Sequence, residues 1–318
     1  MTSELKLNDR AKRLADHLAA TSAQLRIQVS TAASGARIMD CGVKCEGGLQ
    51  AGLGLARVCL SGLAEVSLGP GEVAGIGLPV VQVVTDWPVP ACMASQYAGW
   101  QISVGKYFAM GSGPMRAAYG KEELFDRIGY RETAENAVGV LETRKLPTDE
   151  VIEELARKTG VSAARLTLLA APASSQAGGL QVVARSVETA LHKLFDLDFD
   201  LAQIVSASGT APLPPVAAED IVAIGRTNDA ILYGGRVVLW VRAEDDLLAE
   251  IGPKVPSMAS PDHGEPFAAI FERSGRDFYK IDPELFSPAE IVFNNLKTGR
   301  CHRFGRLEPD VLRKSFTS

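Results

Sequence analysis

Leu166-Thr167-Leu168-Leu169-Ala170-Ala171-Pro172-Ala173-Ser174-Ser175-Gln176-Ala177-Gly178-Gly179-Leu180-Gln181 decides the fold class. Its first residues are a short apolar run without a helical period, as in a buried strand, and Ala171-Pro172 ends it. Small residues then feed a helix expected from about Gly179 to Leu194. The same order occurs earlier in the chain. Val80 to Thr85 is a β-branched run closed by Asp86-Trp87-Pro88, and Pro90-Ala91-Cys92-Met93-Ala94-Ser95-Gln96-Tyr97-Ala98-Gly99-Trp100-Gln101 follows it. The echo suggests two related strand–loop–helix units, an old duplication.

Outside this pair the signals are local. Asn8 is placed to cap a helix that turns Ala11, Leu14, Ala15 and Leu18 to one side. Leu25, Ile27 and Val29 alternate with polar residues, as a half-buried strand does. Leu49, Leu53, Ala56, Leu60 and Leu63 recur at helical spacing. A further helix is expected over Thr148 to Lys158, with Asp149 and Glu150 favouring its N-terminus and Gly160 ending it. Ser206 to Pro215 holds three prolines and is expected to be a linker. Beyond it, Ile221 to Ile224 and Val237 to Val241 have the composition of buried strands. Strand–helix alternation early and strands late predict an α/β (α+β) architecture. The division expected is an N-terminal α/β lobe over 1–205, a linker over 206–218 and a strand-rich C-terminal lobe over 219–318.

Composition narrows the function. The 318 residues are 46% hydrophobic and 22% charged, a globular balance, with a net charge of −5. That charge offers no overall attraction to nucleic acid or anionic membrane, so neither is expected as a partner. The N-terminal Met1 to Lys6 has no basic region followed by an apolar run, and no apolar stretch is long enough to span a bilayer. Five cysteines, an odd number in a core-rich chain, argue for free thiols in a reducing compartment, so the cytoplasm is the expected location. Cys41 and Cys45 form a C-x3-C pair without a second pair to complete a zinc site. His17, His192, His263 and His302 are scattered, so no metal is expected.

Glycine-rich stretches invite a dinucleotide reading and fail it. Gly52-x-Gly54 leads to Arg57 where the third glycine of G-x-G-x-x-G would stand. The informative constellation lies on the helix after Gly179. Arg185, Glu188 and His192 follow at spacings of three and four and share a face, while Val182, Val183, Val187, Ala190, Leu191 and Leu194 make much of the circumference apolar. Two readings fit the spacing. One is a surface ion pair worth a few tenths of a kcal/mol. The other is a functional pair set in a cavity, which the loop Ser174 to Gly179 entering the helix favours.

Arg185-Ser186-Val187-Glu188 resembles the Arg-x-x-Glu of methenyltetrahydromethanopterin cyclohydrolases. Further stretches agree with that family: Glu46-Gly47-Gly48 with Ala51-Gly52, Gln96-Tyr97-Ala98-Gly99-Trp100, Gly111-Ser112-Gly113-Pro114, and Thr227-Asn228-Asp229-Ala230 with Tyr233-Gly234-Gly235. Together they span most of the chain. The resemblance implies reversible hydrolysis of the methenyl bridge of a tetrahydromethanopterin cation to the N5-formyl derivative, with no metal or organic cofactor. It implies a family-specific fold of two lobes with a cleft between them, and assembly as a homotrimer. It also implies catalytic roles for Glu188, which handles the hydrolytic water, and Arg185, its partner.

The chemistry fits those roles. The substrate carbon lies between two nitrogens that share a positive charge, so it is electrophilic without a Lewis acid. A carboxylate acting as general base supplies what is missing, an oriented and partly deprotonated water. Arg185 would keep that carboxylate ionised and oriented, since a neighbouring cation favours the charged form. It would also repel the cationic substrate, so it belongs behind Glu188 or turned toward an oxyanion. For the pterin, the small-residue loops at Gly47, Gly48, Ser112, Gly113 and Pro114 and the amides of Gln96 and Gln176 are binding candidates, with tight helix packing as the competing role for the glycines. Tyr233, Tyr97 and Trp100 are stacking candidates or core, and Lys106 and Arg116 are candidates for an anionic tail or are solvated. A non-catalytic pterin carrier and a structural subunit of a formyl-transferring complex are the rival functions.

Overall fold

The computed structural model describes residues 5–317 apart from Ala74 and Ala98; residues 1–4 of the N-terminal stretch and Ala98 of the Gln96–Trp100 stretch lie outside the described residues. The chain opens with α1 (Leu7–Ala20), α2 (Ser22–Leu25), β1 (Gln28–Thr31), β2 (Arg37–Asp40) and α3 (Leu49–Cys59). Four strands follow: β3 (Glu65–Gly69), β4 (Glu72–Val73), β5 (Ile76–Gly77) and β6 (Val80–Thr85). After a π-helix over Val89–Gln96 come β7 (Trp100–Val104), β8 (Tyr107–Ser112), α4 (Met115–Tyr119), α5 (Glu123–Arg127) and β9 (Ala137–Glu142). Next are α6 (Asp149–Thr159), β10 (Leu166–Ala171), α7 (Gln176–Val183), α8 (Ser186–Asp196), β11 (Ile204–Pro212) and α9 (Asp220–Leu232). The last elements are β12 (Arg236–Val241), α10 (Asp245–Ile251), α11 (Phe267–Arg273), β13 (Glu290–Asn295), β14 (Cys301–Gly305) and α12 (Pro309–Thr317).

Two compact units result, each made from two pieces of sequence. The first takes residues up to Ala64 and Pro90–Gln181; the second takes Glu65–Val89 and everything from Val182. The boundary expected at 206–218 is therefore corrected, because that stretch is not where the chain changes unit. Most of it is strand. β11 is a central strand of its sheet, paired antiparallel to β6 on one side and to β12 on the other. Only Pro212 of the three prolines lies in the strand, and it occupies the last position, so the ladder keeps its donors. The 219–318 stretch is also more helical than expected. Ile221 to Ile224 belongs to α9 rather than to a strand. Four apolar residues are too few to tell the two apart by period.

In the first unit the sheet runs β1-β2-β10-β9-β8-β7. The neighbours β2, β10 and β9 are parallel. Both faces are covered. Met39, Val138, Val140 and Leu169 pack with Ala11, Ala15, Ala51, Leu55 and Val58 of α1 and α3. Ile38, Leu141, Leu168 and Ala170 pack with Val151, Ile152 and Leu155 of α6. Parallel strands covered in this way are apolar on both sides, which is why Leu166–Ala171 has no alternation. Helix α6 ends at Gly160, whose φ of 75° is the left-handed cap expected there. Asn8 does not cap α1; it lies inside the helix, 0% exposed, and its side chain bonds the Pro114 carbonyl and the Val138 N–H.

In the second unit the sheet runs β14-β13-β12-β11-β6-β3. The side of β11 carrying Ala207, Gly209 and Ala211 is buried, and Ser206, Ser208 and Thr210 on the other side are half-buried. Gly209 lies under α8: a methyl there would stand 2.5 Å from the Ser186 hydroxyl and 2.8 Å from Val187 Cγ2. The sheet and the first turn of α8 thus meet through a hydrogen atom. Among the described residues no helix is long and apolar enough to cross a membrane.

Candidate active site

The helix expected from Gly179 to Leu194 is two helices. α7 ends at Val183, Ala184 and Arg185 form a turn, and α8 starts at Ser186. No proline or glycine marks the break, so apolar periodicity runs across it unbroken. Its effect is to put Arg185 at the N-cap of α8 and Glu188 in the first turn. A helix N-terminus favours negative charge, so Glu188 stands where the backbone stabilises a carboxylate. Glu188 is 2% exposed and Arg185 8%. This excludes the surface-pair reading of their spacing. His192 follows one turn later, its Nδ1 4.0 Å from Glu188 Oε1 and its Nε2 3.7 Å from Asp196 Oδ2.

The first unit gathers the binding candidates into two groups. Loops 41–48 and 172–175 leave the C-terminal ends of the parallel strands β2 and β10, the edge at which open α/β sheets bind ligands. Gly47, at φ 59°, has no room for a methyl beside the Cys41 carbonyl, and faces Ala177 next to Gln176. Gly48 is the N-cap of α3, and Gln176 opens α7 and is exposed. Gly47, Gly48 and Gln176 therefore come together.

Gln96, Ser112, Gly113 and Pro114 lie instead around the far end of α3. Ser112 Oγ is 3.3 Å from Cys59 Sγ, and Ser95, beside Gln96, donates to the Cys59 carbonyl at 2.6 Å. The eleven residues of α3 put about 15 Å between the two groups. All four are buried.

Tyr233, in the second unit, is 0% exposed; its hydroxyl donates to the Glu265 carbonyl at 2.6 Å and accepts from Gly264 N–H at 3.2 Å. It has no open ring face on which a pterin could stack.

The family model described as cyclohydrolase (MCH) matches residues 6–316. The chain belongs to the cyclohydrolase (MCH) family. Among its relatives is a methenyltetrahydromethanopterin cyclohydrolase of Rhodopirellula baltica, 52% identical over 288 residues that cover 89% of this chain and 86% of the relative. A protein of the same name from Methylobacillus flagellatus is 43% identical over 98% of this chain and 95% of its own length. A third, from Methanococcoides burtonii, is 41% identical over 98% of both.

Several polar residues of this cyclohydrolase-family chain matter more than local patterns indicated. Asp40, 2% exposed, accepts the N–H groups of Gly42 at 3.0 Å, Val43 at 2.7 Å and Lys44 at 2.8 Å, and so shapes the loop that leads to Gly47. An Asp followed by Cys-Gly was the available signal, since Asp side chains fold turns onto themselves. Burial, and then Asp40, push the Cys45 thiol above its ordinary range, and burial does the same to Cys41. Arg116 is neither solvated nor open to a tail: it is 1% exposed, paired with Glu122, bonded to the Tyr97 carbonyl and placed 4.6 Å from the Tyr97 ring centre. Lys106 is exposed. Trp100 stacks on Tyr119 at 5.0 Å and is largely buried.

Proposed function

We propose that this chain hydrolyses methenyltetrahydromethanopterin reversibly to the N5-formyl derivative, with Glu188 as general base and Arg185 as its partner, and with neither metal nor organic cofactor. Membership of the cyclohydrolase (MCH) family and the name shared by its relatives support the reaction. The observation that carries the residue assignment is the carboxylate of Glu188, 2% exposed in the first turn of α8, with Arg185 at the cap of the same helix. A buried carboxylate needs compensation; a helix N-terminus supplies part of it, and Arg185 is assigned the rest.

In this reading water attacks the cationic carbon as Glu188 removes its proton, and the same carboxyl returns a proton to the departing nitrogen. The substrate's own charge makes Lewis-acid activation unnecessary. Arg185 fixes the orientation of the carboxylate. The loops that bring Gly47, Gly48 and Gln176 together are the first candidates to hold the pterin, through backbone groups that approach flat rings and an amide that both donates and accepts. Gln96, Ser112, Gly113 and Pro114 are assigned a supporting role in the same unit. The chain is taken to act in the cytoplasm as a homotrimer.

The test is absorbance-monitored hydrolysis of the methenyl substrate in metal-free buffer, by wild type and Glu188→Gln. Turnover by wild type and a loss on the order of 100-fold or more in the variant are expected. Wild type without turnover would overturn the activity; a fully active variant would overturn the assignment of Glu188 alone.

A further inference from the structure

The proposed reaction does not conserve protons within the site. The methenyl substrate carries one positive charge and the formyl product none. Water adds its oxygen to the carbon, a carbon–nitrogen bond breaks, and one proton of that water ends on the released nitrogen. The other must leave for solvent in every turnover, and must enter when the reaction runs backwards. Glu188 collects it and has to lose it before the next water is activated. Its side chain is only 3% exposed, so bulk water reaches it poorly.

Helix α8 supplies a route. His192, one turn after Glu188, is 34% exposed and holds Nδ1 4.0 Å from Glu188 Oε1. Its Nε2 lies 3.7 Å from Asp196 Oδ2, on a side chain 50% exposed. Exposure therefore rises along one helix face from the carboxylate, through the imidazole, to a second carboxylate in solvent. Each gap is one that a small rotation or a single bridging water closes. An imidazole suits the middle position because it can take a proton on one ring nitrogen and release one from the other. Lys193, next in the chain, does not compete; it is buried, with Nζ 3.4 Å from the Glu284 carbonyl. The hydroxyl of Thr189 is also committed, donating to the Arg185 carbonyl at 2.8 Å.

We propose that His192, backed by Asp196, relays the reaction's net proton between Glu188 and solvent. This rests on Glu188 being the base, and His192 acts through Glu188 rather than on the substrate. The experiment compares initial hydrolysis rates of wild type, Glu188→Gln, His192→Gln, His192→Ala and Asp196→Asn in dilute buffer, then with added imidazole. Both His192 variants should lose on the order of 10- to 100-fold in kcat with little change in KM. Imidazole should restore His192→Ala in proportion to its concentration and leave Glu188→Gln unaffected, a readout that misfolding would not produce. Asp196→Asn, on an exposed side chain, should be slowed several-fold and respond to imidazole as well. Unchanged kcat in the His192 variants, or a loss that imidazole does not relieve, would overturn the relay. A fully active Glu188→Gln would show instead that the assignment beneath it is wrong.

Discussion

Replacing Asp229 by Asn should remove much of the pH dependence of this protein's stability between pH 4 and 7. Asp229 lies within α9, 0% exposed, and its Oδ1 accepts the Phe267 N–H at 2.8 Å. Burial raises its pKa from 3.8 to about 7, against the opposing effects of the Ser315 hydroxyl and the Phe267 N–H. The folded protein thus binds this proton more tightly than the unfolded chain. Between the two values the unfolded state binds fewer protons, so stability falls as pH rises. The contribution is fully present below pH 3.8 and is lost as pH passes through about 7. A shift of this size corresponds to an upper limit of about 4 kcal/mol.

Asn keeps an oxygen for Phe267 and has no charge to desolvate. Near pH 4, where Asp229 is protonated in the folded protein and still about half protonated in the unfolded chain, the variant should match wild type to within about 1 kcal/mol. At pH 8 it should be the more stable of the two, by several degrees in the thermal midpoint. The assay is a pair of melts at each pH, and the difference between variant and wild type cancels every other titrating group. A difference that stays constant from pH 4 to pH 8, or one that favours wild type at the higher pH, would refute the reasoning.

Two further outcomes are expected. Gly209→Ala places a methyl 2.5 Å from the Ser186 hydroxyl, and overpacking of this kind costs about 1–3 kcal/mol; because the displaced turn carries Glu188, kcat should fall more than KM rises, and steady-state kinetics beside a melt will show it. Light scattering should give a native mass three times the 33.8 kDa of one chain; a species of one chain's mass would refute the trimer.

What the sequence disclosed about the fold was local. Strands β6, β10 and β12 were each visible as a short β-branched or apolar run, helix α3 from its helical spacing, and α6 from its acidic start and its Gly160 stop. The units were not visible, because they depend on pairings over long separations. β6 is bonded to β11 more than a hundred residues later, and nothing in Val80 to Thr85 names that partner. The proline-rich end of β11 even pointed the other way. The break at Ala184–Arg185 was hidden for a related reason: the apolar positions of α7 and α8 are in phase, so periodicity reads one helix where there are two. That break matters to function, since it turns Arg185 from a mid-helix residue into a cap and brings Glu188 into a first turn.

The stretches that carried the family resemblance divide on inspection of what their side chains do. Asp229 and Tyr233 tie α9 to the backbone at 264, 265 and 267. Ser112 is bonded inside the first unit, and the Pro114 carbonyl is taken by Asn8. Such residues identify a family because they fix its fold, and substituting them tests stability before it tests chemistry. Glu188 differs: its carboxylate is buried where a helix terminus favours charge, and a histidine and a second carboxylate lead from it to solvent. No packing requirement asks for a titratable group at that position. A neutral isostere there should leave the fold intact and stop the reaction, which is why Glu188→Gln separates catalysis from architecture more cleanly than any glycine or aromatic in the chain.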